Sequence, residues 1–252
     1  MILQIDKLTV TVGSKLVCRD LSLTVARGER WAILGINGIG KTTLLHTLAG
    51  LRAPISGRVL LSDAVLTQVP ANQRALQIGL MSQTDEDDAE STVLEAALLG
   101  RLPHLKWWQS ESADDEALAR NALSDVGLSP EFESRRAATL SGGERRRLAL
   151  AALLVQDAPL LLLDEPTSHL DLHQQIALLD LLSSLTQRTL VMTLHDVNLA
   201  ARYCTHVLML FGDGDACGGP VTSMLEPEVL SRLYRHKVGV GDTATGRFYF
   251  PV

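Results

Sequence analysis

Residues 35–43, GINGIGKTT, constrain the fold more than any other stretch of this chain. Gly35 and Gly40 bracket a loop that closes on Lys41 and Thr42, and glycines let a backbone turn its amides toward one point. The flanks supply the context: 30–34 (RWAIL) reads as a short buried strand and 44–49 (LLHTLA) as a helix. A loop between a strand end and a helix start offers successive N–H groups and the positive end of the helix dipole to an anion. Lys41 adds a cationic donor for β- and γ-phosphates, and the Thr42 hydroxyl adds a ligand for Mg²⁺. With Asn37, Gly38 and Thr43, these residues make a candidate site for the triphosphate of ATP or GTP.

A second half of the site is expected at 160–165 (LLLLDE), a buried strand ending in two carboxylates. At the carboxyl edge of a parallel sheet Asp164 would lie beside the phosphate loop and hold Mg²⁺ through its water shell. Glu165 would polarise the water that attacks the γ-phosphate, a transfer that needs positioning and charge neutralisation more than a strong base.

The rest of the chain supplies a scaffold for these pieces. Residues 8–12 and 21–25 alternate apolar and polar side chains, as half-buried antiparallel strands do. Later apolar runs at 78–81, 160–163, 189–194 and 206–211 have the continuous hydrophobicity of strands covered on both faces, with helical segments between most of them. From about 85 to 146 strands give way to helical patterns at 93–102 and 117–126, the latter closed by Gly127, and a long helix follows to Val155. Towards the C-terminus, 226–234 reads as a helix and 247–252 as a strand, with no functional expectation attached.

Composition narrows the function classes. The net charge is −6 and the only tight basic cluster is Arg145-Arg146-Arg147, so the electrostatic footprint of a nucleic-acid binder is missing. The acidic run 85–90 has no histidine or calcium-loop spacing with it and reads as a hinge or linker. The longest apolar run, 148–155, is far short of the roughly 20 residues that cross a bilayer, and the first residues lack a secretory pattern. A cytosolic chain reaching a membrane only through a partner is therefore expected. Cys18, Cys204 and Cys217 are odd in number and lack ligand spacing, which suits a reducing compartment.

In order along the chain, GINGIGKTT, Gln83, LSGGE at 140–144, LLLLDEP, SHLD at 168–171 and His195 resemble the ATP-binding subunit of ATP-binding cassette (ABC) transporters. The resemblance spans essentially the whole chain, and LSGGE is its most specific element. It implies a P-loop NTPase (RecA-like) α/β core at 1–84 and 147–252, with a mostly parallel sheet and a small antiparallel β-layer at the N-terminus. An α-helical subdomain is inserted at 85–146, within one ATPase domain. It also implies that Ser141, Gly142 and Gly143 bind the γ-phosphate held by the opposite subunit of a homodimer. Physically, a hydroxyl and two unobstructed amides at a helix start make a second anion site. By the same resemblance Gln83 senses Mg²⁺ and the attacking water, His195 contacts the γ-phosphate and helps place the water, and Asp171 communicates across the dimer. His169, His173 and His206 are read as ordinary loop histidines.

The family places an adenine-stacking aromatic near position 12, where this chain has Val12-Gly13; Trp31 reads as core. Low discrimination between ATP and GTP is the expectation. Residues 99–104 (LGRLPH) and 194–203 (LHDVNLAARY) resemble the subunits that energise importers of iron siderophores, haem and cobalamin. That group implies a transmembrane permease, an extracytoplasmic substrate-binding protein, and a peripheral location at the cytoplasmic face of the inner membrane. Trp107 and Trp108 either line a groove for a permease helix or pack inside the helical insertion. A soluble ABC ATPase acting as a conformational clamp, or the subunit of an exporter, are the alternatives.

Overall fold

The computed structural model describes residues 1–82, 90–243 and 246–252. Gln83 and residues 85–89 of the acidic run lie outside the described residues. The chain forms two compact units, one of Met1–Val69, Leu163–Glu165 and Gln187–Val252, the other of Pro70–Leu162 and Pro166–Thr186.

The first unit opens with β1 (Leu3–Val12), β2 (Lys15–Val25), β3 (Arg30–Leu34), α1 (Lys41–Leu48), β4 (Ser56–Leu61) and β5 (Ala64–Val65). The second holds α2 (Ala71–Ala75), β6 (Ile78–Met81), α3 (Val93–Leu98), α4 (Ala113–Asp125), α5 (Gly142–Gln156), β7 (Leu160–Leu163, its last residue passing to the first unit) and α6 (Leu172–Ser184). The chain then returns to the first unit through β8 (Thr189–Thr193), α7 (Val197–Tyr203), β9 (His206–Leu210) and β10 (Ala216–Pro220). It ends in α8 (Val221–Met224), α9 (Pro227–Tyr234), β11 (Val238–Thr243) and β12 (Gly246–Pro251).

In the first unit an antiparallel sheet of order β2-β1-β4-β5 realises the expected N-terminal β-layer. Its alternation changes phase: Leu3 and Ile5 are buried, then Leu8 and Val10. The register shifts between Ile5 and Leu8, where Lys7 takes a left-handed φ of 47°, so one extra residue turns the next apolar pair back to the same face. Gly57 sits against this bulge, and a Cβ there would lie 2.1 Å from the Lys7 carbonyl oxygen, so only glycine fits. β3 pairs in parallel with β8 on one side and β9 on the other, and β10 adds an antiparallel edge to β9. Ile5 and Leu23 of one sheet and Ile33, Val191 and Leu208 of the other meet around Leu48 of α1, leaving a space of only ≈ 10 Å³.

Trp31 is core, as expected, with its indole N–H donating to Glu29 Oε2 at 2.8 Å. His206 departs from the loop reading: it opens β9 and stacks on Trp31 at 4.6 Å. His173 likewise lies in the first turn of α6.

In the second unit α3, α4 and α5 bury Val93 and Ala97, Ala119 and Leu123, and Leu148 and Ala151. Each of the three helices starts with a capping box: Thr92 with Glu95, Ser112 with Asp115, Ser141 with Glu144. The helix expected over 93–102 stops at Leu98 and tightens into a 3₁₀ turn, Leu99–His104. Gly100 there runs against α5, where a Cβ would lie 2.1 Å from the Ala152 carbonyl oxygen, and Pro103 has no N–H to continue a helix. The basic triplet is not a surface cluster, since Arg146 is buried and donates to the Ser82 carbonyl at 2.7 Å. Trp107 and Trp108 do not pack inside this unit; they are 92% and 65% exposed and meet edge to face.

Arg101 binds Asp115 at 2.7 Å and the Val155 carbonyl at 3.3 Å, tying the 3₁₀ turn to α4 and α5. The Ser112 amide, then the Ser112 hydroxyl and Arg101, draw the Asp115 carboxyl down to about 2. Folding lowers this pKa, so the stability it contributes is complete above about pH 4 and is lost as the pH falls toward about 2. Asp115→Asn is expected to lower the urea midpoint at neutral pH and to flatten its acid decline in that window, measured by circular dichroism at a series of pH values.

Candidate functional site

The loop 35–40 leaves the end of β3 and becomes α1 at Lys41, three residues earlier than the apolar pattern suggested. Close quarters explain two of its three glycines. A Cβ on Gly40, whose φ is 107°, would stand 2.5 Å from Val17 Cγ2, and one on Gly35 would stand 3.0 Å from the Leu210 carbonyl oxygen. Asn37 and Gly38 are exposed at the rim, while Ile39 is buried beneath. The first helical bond of α1 runs from Leu44 N to Gly40 O, so the amides of Lys41, Thr42 and Thr43 precede the ladder. No acidic residue sits in this first turn and no side chain caps it, so its positive end is uncompensated.

Lys41 is buried and curls back over the loop, donating to the carbonyls of Gly35 at 2.9 Å and Ile36 at 3.4 Å. Burial lowers its pKa, against the pull of the nearby Glu165 and Asp164 carboxylates. Lysine, phosphate loop and both acids thus belong to one cluster in the first unit.

The acids are held from β8. Thr193 is fully buried; its hydroxyl donates to Asp164 Oδ1 at 2.7 Å and accepts from the Glu165 amide at 2.6 Å. Glu165 has a left-handed φ of 48°, unusual for a residue with a side chain. Its Oε1 meets His195 Nε2 at 2.8 Å, so the histidine expected to help place water contacts the carboxylate expected to polarise it. After His195, Asp196 caps α7 through the Asn198 amide, and the Asn198 side chain makes two bonds to the Tyr249 backbone. The terminal hairpin β11–β12 is thereby fastened to the helix that follows His195.

Ser141, Gly142, Gly143 and Asp171 lie in the second unit. Ser141 caps α5, its hydroxyl accepting from Glu144 N while Glu144 Oε2 accepts from Ser141 N at 2.7 Å. The hydroxyl also donates to the Glu144 carboxylate, which closes the box on both sides of the serine oxygen. Ser141 and Gly142 are exposed at the helix start, and Gly143 is half-buried, its Cβ position 3.3 Å from Gln174 Oε1. Asp171 is exposed and caps α6 by accepting from Gln174 N at 2.8 Å.

Thr193 was not singled out from sequence, although a hydroxyl at the end of the apolar strand TLVMT is a signal, because such a group must find partners when buried. Of the residues expected from sequence to hold a metal, Thr42 and Asp164 offer a hydroxyl and a carboxylate. Hard oxygens of this kind suit Mg²⁺, and the uncompensated helix end with Lys41 suits a phosphate chain.

The ABC transporter family profile matches residues 18–168. The petrobactin import ATP-binding protein FpuD of Bacillus anthracis is 39% identical over 92% of this chain and 86% of its own length. The hemin import ATP-binding protein HmuV of Pseudomonas fluorescens is 38% identical over 92% of each. Among solved structures, a metal-chelate type ABC transporter in an inward-facing conformation aligns over 100% of this chain and 97% of its own, with a TM-score of 0.85 and 27% identity. The dimeric bacterial ABC cassette MJ0796 aligns over 87% of this chain and 98% of its own, with a TM-score of 0.77 and 26% identity.

Because both φ and space at position 40 exclude a side chain, Gly40→Ala is expected to cost about 1–3 kcal/mol of stability and to weaken ATP binding. Thermal unfolding and a nucleotide titration measure the two effects.

Proposed function

The chain belongs to the ABC transporter family, and we propose that it is the ATP-hydrolysing subunit of an importer that takes up an iron chelate, haem or cobalamin through a membrane permease. The observation that carries the reading is the phosphate loop with its uncompensated helix end, clustered with Lys41, Asp164 and the Glu165–His195 pair. Import is supported by the two relatives, each of which is the ATP-binding subunit of an import system.

In this reading the amides from Gly35 to Thr43, with Asn37, Gly38 and Gly40, cradle the triphosphate, and Lys41 exchanges its loop carbonyls for β- and γ-phosphate oxygens. The Thr42 hydroxyl and Asp164 hold Mg²⁺, with Gln83 completing that side. When bound, the metal supplies charge neutralisation on the β- and γ-phosphates. Glu165 polarises the attacking water, and His195, already on Glu165 Oε1, steadies it and reaches the γ-phosphate. Ser141, Gly142 and Gly143 of a second copy close the site by donating a hydroxyl and amides from a helix start, and Asp171 carries the state of one site to the other. Two copies related by a two-fold axis bind two nucleotides this way, within an ATPase domain whose helical subdomain is 85–146.

The subunit attaches to the cytoplasmic face of the inner membrane through its permease, which receives substrate from an extracytoplasmic binding protein. Trp107 and Trp108, exposed like Leu99 and Leu102 a few residues earlier in the chain, offer an apolar surface to a permease helix.

Affinity purification from detergent-solubilised source cells should bring down a polytopic permease, and Glu165→Gln should keep ATP binding while abolishing hydrolysis. Recovery of an active ATPase alone would count against import, and full turnover by Glu165→Gln would remove Glu165 from its role. Trp107→Ala should reduce permease recovery without lowering the melting temperature of the free subunit.

Val12 lies beside the loop, 3.3 Å from the Cβ position of Gly40, and gives the base an aliphatic edge instead of an aromatic face. ATP and GTP should therefore bind within about tenfold of one another, about the full span that one aromatic stacking interaction could open. Strong rejection of GTP in a competition titration would contradict this.

A further inference from the structure

The buried hydroxyl of Thr193 does more than satisfy itself. The Glu165 amide can only donate, so Thr193 Oγ1 accepts there and its own hydrogen goes to Asp164 Oδ1. One hydroxyl thus sets the side chain of the first acid and the backbone of the second. That backbone is left-handed, a conformation a glutamate keeps only when its surroundings hold it. Two residues further on, His195 meets the carboxylate of the same glutamate. The end of β8 therefore touches the acid pair at three points.

We infer that Thr193 is a positioning residue for ATP hydrolysis, orienting Asp164 towards the metal and Glu165 towards the water; the inference rests on the roles proposed above for those two acids. Valine has the same shape without the hydroxyl, so it removes both bonds while keeping the packing. Serine keeps the hydroxyl and loses only a methyl group.

In the full-length chain assembled with its permease, Thr193→Val should reduce kcat for MgATP hydrolysis about tenfold or more. KM for ATP should stay within about twofold, because the loop and Lys41 are untouched. Thr193→Ser should restore most of kcat. In a Glu165→Gln background, where hydrolysis does not intrude, Thr193→Val should raise the Mg²⁺ concentration needed for half-maximal binding of a fluorescent ATP analogue. Should the valine variant fail to fold, Thr193→Ala is read by the same measurements.

A wild-type kcat in the valine variant overturns the inference. So does a loss that serine does not rescue and that leaves the Mg²⁺ dependence unchanged, since that pattern belongs to packing. Full turnover by Glu165→Gln alone would mark failure of the underlying assignment, whereas loss in Glu165→Gln with none in Thr193→Val marks failure of the Thr193 inference only.

Discussion

A carboxyl group with no exposed surface, that of Asp164, sets the terms for everything around it. Water is not there to solvate it, so protein groups have to, and a buried acid without partners would cost several kcal/mol. Thr193 supplies a hydrogen bond from the neighbouring strand, and Lys41 supplies positive charge from the loop. Each of these commitments constrains another element. Lys41 is itself buried and spends its donors on the Gly35 and Ile36 carbonyls, in a loop whose Gly35 and Gly40 are pressed against Leu210 and Val17. The sheet that brings β3 and β8 side by side is what makes the arrangement possible.

Much of this was legible in the residues. β3, β6 and β7 fall where continuous apolar runs place them, because a strand buried on both faces has no polar position to blur its ends. The loop 35–43, the acid pair and His195 stood out as candidates because their expected chemistry demands particular residue types in a particular order, and Lys41 and His195 lie against the acids. What escaped was decided by tertiary contact. The bulge at Lys7 depends on Gly57 across the sheet, the 3₁₀ turn at Leu99–His104 depends on the approach of Gly100 to α5, and His206 is drawn into stacking by Trp31. Thr193 escaped for the same reason: a threonine in a strand looks like a propensity choice until the carboxylate opposite it is known. Arg146, the middle of the basic triplet, is a buried donor to the Ser82 carbonyl, a role that the flanking arginines conceal in the sequence.

In the second unit, helix capping already engages the atoms proposed above for phosphate recognition. The Ser141–Glu144 box engages the serine hydroxyl both as acceptor and as donor, while the two glycines beside it keep the helix start free of side chains. The glutamate that completes the box has its pKa lowered, chiefly by the Ser141 amide and then its hydroxyl, so the cap stays formed across neutral pH. For the serine to donate to a phosphate, its hydroxyl must turn away from the Glu144 carboxylate, while the glycine amides need no such change.

The path of the chain through the acid pair carries a consequence of its own. Leu163–Glu165 belong to the first unit, yet the residues on either side belong to the second, and the chain passes between the units four times, near positions 69, 162, 165 and 186. Neither unit is therefore a contiguous stretch of gene. Recombination that traded one for a counterpart would have to join several fragments at once, one of them three residues long and carrying both acids. The two units are heritable only together, and variation in either must arise by point change or loop insertion rather than by shuffling.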